Sequence, residues 1–151
     1  MSRAFVKEDD EAVEDLPERP VSTAPNLVTA EGLAAIEAEI AQLTEALAQA
    51  GDDRPARARV GRDLRYWTAR RGNAHVMAAP STTENVSFGS SVALDRDDGR
   101  HQTFRIVGED EADPERGTLS HVSPLARALM GKGVGDVVSV AGHDLEIEAI
   151  S

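Results

Sequence analysis

The sequence predicts an α+β protein: an N-terminal antiparallel α-helical hairpin of coiled-coil type, followed by a small antiparallel sheet with one short helix. Three observations carry this reading. Apolar residues recur at intervals of three and four over residues 29–50, and a weaker copy of that pattern follows Gly51 and Pro55. From Val86 onward the period switches to two, with turn residues between the runs. The charge also changes sign along the chain: residues 29–50 carry four acids and no base, whereas residues 51–77 carry three acids and seven arginines.

Taken in order, residues 1–27 read as an acidic, proline-containing flexible arm. Its early acids give way to Pro17, Pro20 and Pro25, which favour extended chain. Residues 28–77 form the hairpin. Leu33, Ile36, Ile40, Leu43 and Leu47 make an a/d seam. Thr29 can cap the first helix, and Glu31 suits the positive end of its dipole. Gly51 ends that helix. Pro55 is tolerated only in the first turn of the next, so Gly51 to Arg54 must reverse the chain tightly. Val60, Leu64, Trp67 and Ala74 continue a second seam, with Arg71 on it. The arginines are then expected to pair across the hairpin with Glu37, Glu39 and Glu45.

Residues 78–84 read as a linker and residues 85–151 as the sheet domain. Val86, Phe88, Val92 and Leu94 alternate with polar neighbours, and Asp97-Asp98-Gly99 turns the chain toward Phe104 and Ile106. An acidic loop, 109–115, precedes a strand around Leu119. Ser123-Pro124 is a cap followed by proline at the first helical position, and Gly131 stops that helix. Val138 with Val140, and Leu145 with Ile147, form a last strand pair around Gly142.

Composition narrows the function. The chain has 151 residues, a formal net charge of −11, no cysteine and five aromatic residues. The absence of cysteine removes disulfides and thiol catalysis. No apolar run approaches the ~18 residues of a membrane span, and the N-terminus has no secretory apolar core. A cytoplasmic, monomeric protein is expected. Net negative charge argues against direct nucleic-acid binding. The four histidines share no metal-like spacing on one helix face, so no metal, cofactor or catalytic residue is expected. No Gly-x-Ser-x-Gly elbow occurs. The run Gly131-Lys132-Gly133-Val134-Gly135 follows a helix and precedes a strand, the wrong order for a phosphate loop, and reads as turns. Two features stay open. Asp52 and Asp53 at the hairpin tip are either caps or oxygen ligands presented to a Mg²⁺ in another protein's active site. Ser123-Pro124 is either a helix start alone or part of a contact.

Several stretches bring a known family into view. They are Leu27-Val28-Thr29-Ala30-Glu31-Gly32-Leu33 and Arg62-Asp63-Leu64-Arg65-Tyr66-Trp67-Thr68-Ala69-Arg70-Arg71 in the hairpin. In the sheet domain they are Phe88-Gly89-Ser90-Ser91-Val92, Asp97-Asp98-Gly99, Phe104-Arg105-Ile106-Val107-Gly108, Ser123 to Leu129 and Val134-Gly135-Asp136. In order and spacing they resemble the bacterial GreA/GreB transcript cleavage factors, the GreB-like branch in particular. The resemblance implies an FKBP-like sheet domain that grips the rim of the RNA polymerase secondary channel. It implies docking through Ser123, Pro124 and Arg127, and tip acids, here Asp52 and Asp53, that help hold the polymerase's Mg²⁺. Val122 stands where the family often has an acid before Ser-Pro.

The stalk departs from that pattern, each arm being shorter by about eleven residues, or ~16 Å of reach. The family's tip run, Gly-Asp followed by Glu-Asn-Ala-acid-Tyr, is represented only by Gly51-Asp52-Asp53. The short-stalked Rnk proteins, which resemble Gre factors and bind polymerase without restoring cleavage, are a close comparison. The expected function is therefore polymerase binding that modulates elongation, without chemistry of the chain's own. A true cleavage factor using Asp52 and Asp53 is one alternative. An FKBP-like peptide-binding or prolyl isomerase module is another, and a dimerising interaction module a third.

Overall fold

The computed structural model describes residues 16–151. The part of the expected acidic arm covering residues 1–15 lies outside them. The chain folds as two compact units. One holds the described residues up to Thr23 together with Ala34–Asn73; the other holds Ala24–Leu33 and Ala74–Ser151. The chain thus passes between units three times: before residue 24, inside the first long helix after Leu33, and just after the second long helix. No helix among the described residues is long and apolar enough to cross a membrane.

The helical unit is built from α1 (Ala30–Gln49), whose first turn belongs to the other unit, and α2 (Arg54–Gly72). Gly51, at φ +58°, takes the left-handed conformation that the reversal between them demands. Ile36 is buried, and Ile40, Leu43, Leu47, Val60, Leu64 and Trp67 are half-buried along the expected seams. The second seam is displaced at its end. Arg70 is fully buried while Arg71 is exposed and lies 3.7 Å from Glu37. A long aliphatic stem lets arginine fill a helix groove, so residue type alone did not separate the two positions.

The sheet unit opens with β1 (Asn26–Val28), which pairs in parallel with β2 (Ala74–Val76). The sequence pattern instead assigns Asn26 and Leu27 to the arm, and Val28 together with Ala74 to Val76 to the hairpin. Five strands form the main sheet: β3 (Ser91–Arg96), β4 (His101–Val107), β5 (Thr118–Ser120), β6 (Val137–Val140) and β7 (His143–Ile150), in the order β5-β4-β3-β7-β6. The sheet is mixed, because β5 lies parallel to β4 while the other neighbours are antiparallel. A 3₁₀ turn, Pro114–Arg116, sits in the connection that returns the chain for that parallel pairing. The Val86–Phe88 stretch buries its apolar residues as expected but forms a turn, Ser90 N–H donating to Ser87 O, instead of a strand.

Strand alternation sends Val92, Leu94, Leu145 and Ile147 inward, against Ala126 and Leu129 of α3 (Pro124–Leu129). On β7 the period is broken once. Ala93 faces Ala149 and Leu94 faces Ile147, leaving Glu148 as an extra residue. This bulge restores the inward phase at Ile150 and leaves both Glu148 and Ala149 exposed. Gly131 and Gly135, at φ +78° and +89°, are turn residues, in keeping with the sequence reading of that run.

One carboxylate ties the sheet unit's distant segments together. Glu111 accepts hydrogen bonds from Thr29 N–H and Gly108 N–H at 3.0 and 3.1 Å, and from the Thr29 hydroxyl. Thr29 Oγ1 in turn accepts from Gly32 N–H at 3.0 Å, the N-cap bond expected of it. A Cβ at Gly32 would overlap the Glu111 carboxylate, and one at Gly108 would stand 2.5 Å from the Leu27 carbonyl oxygen.

Leu94 lies fully buried at the centre of the sheet core. Leu94→Ala is expected to cost about 2–5 kcal/mol through lost burial and the cavity left behind. Denaturant unfolding followed by far-UV circular dichroism measures it, since Trp67, the one tryptophan, belongs to the helical unit.

Candidate functional site

Two sets of residues singled out by sequence fall in different units. At the hairpin tip, Asp53 is the N-cap of α2: its backbone is extended, and its carboxylate accepts from Ala56 N–H at 3.2 Å. Arg57 donates to the Gly51 carbonyl at 3.3 Å, closing the turn from the other side. Asp52 is exposed, and its carboxylate has no partner among the described residues. The two tip acids therefore differ. Asp53 commits one carboxylate oxygen to its own helix, whereas both oxygens of Asp52 are without a partner among the described residues.

In the sheet unit, Ser123 caps α3, its hydroxyl accepting from Ala126 N–H at 3.3 Å. Pro124 occupies the first helical position. The approach is a fixed turn, with Ser123 N–H on Ser120 O at 3.0 Å and Val122 N–H on Ser120 Oγ at 3.2 Å. Ala126 and Leu129 are buried, whereas Pro124 and Arg127 are exposed. The short helix thus presents a rigid proline and a guanidinium to solvent. Arg96, Gln102, Phe104, Leu125, Val140 and His143 help to line an open groove in this unit, and Phe104 is the one phenyl ring among that groove's lining residues.

Comparisons with known proteins agree on one family. The profile described as transcription elongation factor, GreA/GreB, C-term matches residues 81–151. The transcription elongation factor GreA of Alkalilimnicola ehrlichii is 47% identical over 83 residues, covering 52% of this chain and 52% of that protein. GreB of Neisseria meningitidis serogroup B is 44% identical over 97 residues, covering 61% and 59%. GreA of Desulfovibrio desulfuricans is 31% identical over 135 residues, covering 80% of this chain and 83% of the relative. The chain belongs to the GreA/GreB family. Several of the curated GreA relatives are spanned by this chain over only about half their length, as the Alkalilimnicola protein is.

Within this GreA/GreB chain the profile takes in α3 and the whole main sheet, and it excludes the tip. A set of contacts that the sequence does not reveal also lies outside it. In the helical unit, Arg65 donates from Nε to both carboxylate oxygens of Glu18, at 2.9 and 3.1 Å. Arg19 lies 3.5 Å from Asp63 and stacks over the Tyr66 ring at 3.9 Å, with Trp67 edge-on to that ring. A cation over an aromatic face adds attraction beyond the ion pair. The neighbouring Pro17 and Pro20, flanking an acid–base pair, are the only local signal for this docking. The arginine run of α2 is therefore paired in part with the preceding segment, and not only with α1.

Two outcomes follow for measurement. Asp53→Ala should destabilise the hairpin by about 1 kcal/mol, the usual loss of an N-cap, whereas Asp52→Ala should leave stability unchanged; thermal unfolding of both variants separates them. The Arg65 guanidinium holds the Glu18 carboxyl below its ordinary value. A depressed carboxyl stabilises docking fully above the unfolded carboxylate range and loses that contribution as pH falls through the lower folded value. Trp67 fluorescence should report a transition there in the native chain and none in Glu18→Gln.

Proposed function

We propose that this chain is a transcription elongation factor that binds RNA polymerase at the rim of its secondary channel and modulates elongation, without driving full transcript cleavage. Family membership supports the first part. The observation that carries the second is the length of the hairpin. α1 has 20 residues and α2 has 19, which at 1.5 Å per residue gives arms of about 30 Å. Of the two tip acids, one is already committed as a cap. A short stalk with one of its two tip acids already half-engaged as a cap is a poorer carrier for a metal-directed pair, which needs two carboxylates converging on one ion. In this reading Pro124 and Arg127, held by the Ser123 cap, make the docking contact, and any chemistry belongs to the polymerase.

A cleavage factor acting through Asp52 is the second reading, favoured by that residue's exposure and lack of a partner. Prolyl isomerase activity gains little support, since Phe88 and Phe104 are the sheet unit's only aromatic rings besides histidine and they line separate grooves.

Co-purification with core RNA polymerase and a cleavage assay on backtracked complexes test the proposal together. The expected result is binding, weakened about tenfold by Arg127→Glu (1.4 kcal/mol), with little cleavage above the polymerase alone. Failure to bind overturns the proposal. Strong cleavage that disappears in Asp52→Ala would replace modulation by the second reading.

A further inference from the structure

On the outer face of the main sheet, Asp95, His101 and Glu148 stand together, one from each of the adjacent strands β3, β4 and β7. Asp95 and His101 are directly opposite in the antiparallel register. Glu148 is the extra residue of the β7 bulge, which turns it outward beside them. His101 Nδ1 lies 3.4 Å from Glu148 Oε2 and 3.7 Å from Asp95 Oδ1, and one ligand atom from each residue falls within 4.8 Å of the others.

The two separations from His101 are close to what a tetrahedral ion requires. With zinc bonds of about 2.0–2.2 Å to nitrogen and oxygen, neighbouring ligand atoms sit roughly 3.3–3.5 Å apart. The local charge adds a reason for a cation. Two carboxylates flank one imidazole, and Glu146 on β7 is the register partner of Asp95, a third acid on the same stretch of sheet. Like charges placed opposite each other across strands destabilise a sheet, and a divalent ion would relieve that repulsion. One imidazole with two carboxylates suits a borderline transition ion better than Mg²⁺, which prefers an all-oxygen, largely hydrated octahedron.

The geometry points to a surface site for a divalent transition-metal ion, Zn²⁺ being the best match, held by His101 Nδ1, Asp95 and Glu148 with water completing the tetrahedron. It ties the three central strands together on the face opposite the core. The sequence concealed it because the ligands lie 6 and 47 residues apart, and only the strand register and the bulge assemble them.

Calorimetric titration of the untagged full chain with Zn²⁺ tests the site. One saturable site per chain is expected, lost in His101→Ala and weakened at least about tenfold by Asp95→Asn or Glu148→Gln, the size of effect that disturbing a metal's coordination produces. His143→Ala, which removes the exposed imidazole paired with Asp97, should leave binding unchanged. In the unaltered chain, zinc should shift the ring resonances of His101 and not those of His143. Absence of saturable binding overturns the inference. So does binding that survives His101→Ala, or a shift confined to another histidine.

Discussion

The Glu111 carboxylate is the constraint on which the sheet unit depends. A helix begins with N–H groups that lack intrahelical acceptors, and α1 begins at the sheet unit's expense. Glu111 supplies acceptors to Thr29, while Thr29 supplies one to Gly32. The same carboxylate takes the Gly108 N–H just after β4. A partly buried charged group is stable only when hydrogen-bonded, so the acid and its donors require one another. Gly32 and Gly108 leave the space that this arrangement fills. A single acid in a loop, 82 residues along the chain from Thr29, therefore excludes a side chain at Gly32 and, together with the Leu27 carbonyl, at Gly108.

What sequence revealed and what it concealed divide along physical lines. The caps at Thr29, Asp53 and Ser123 were legible because each is a side chain bonding to backbone three residues away. The seam from Ile36 to Leu47 was legible because burial imposes a period. The β1–β2 pair was not, since three residues matched to partners 48 positions away leave no periodic trace. The exchange of Arg71 for Arg70 in the buried position escaped for a different reason, that the two are chemically identical and differ only in the helix face they occupy. For the functional residues the same division holds. The tip acids and the Ser-Pro helix start could be named from sequence, whereas the unequal engagement of Asp52 and Asp53, and the partnership of Glu18 with Arg65, required coordinates.

The net charge of −11 also has a structure. Acidic α1 and basic α2 meet through Arg71 and Glu37, yet α2 also engages acids from its own helix and from the preceding segment. Exposed pairs of this kind contribute little stability individually. Their effect is on choice of neighbour. Glu18 and Asp63 occupy Arg65 and Arg62 of the arginine face, which reduces its availability to a polyanion.

The three passages of the chain between units bear on modularity. The profile match begins at residue 81, which invites treating the C-terminal half as a cassette that evolution or an engineer could transplant. The sheet unit is not continuous in that way. It borrows Ala24–Leu33 from the other side of the hairpin, including β1 and the donors of Thr29. A graft cut at residue 81 would strand Glu111 without its Thr29 donors and leave out both strands of the small parallel pair. The hairpin is in effect an insertion within the sheet unit's chain. Its length can therefore vary between relatives while both ends remain stitched into the same fabric.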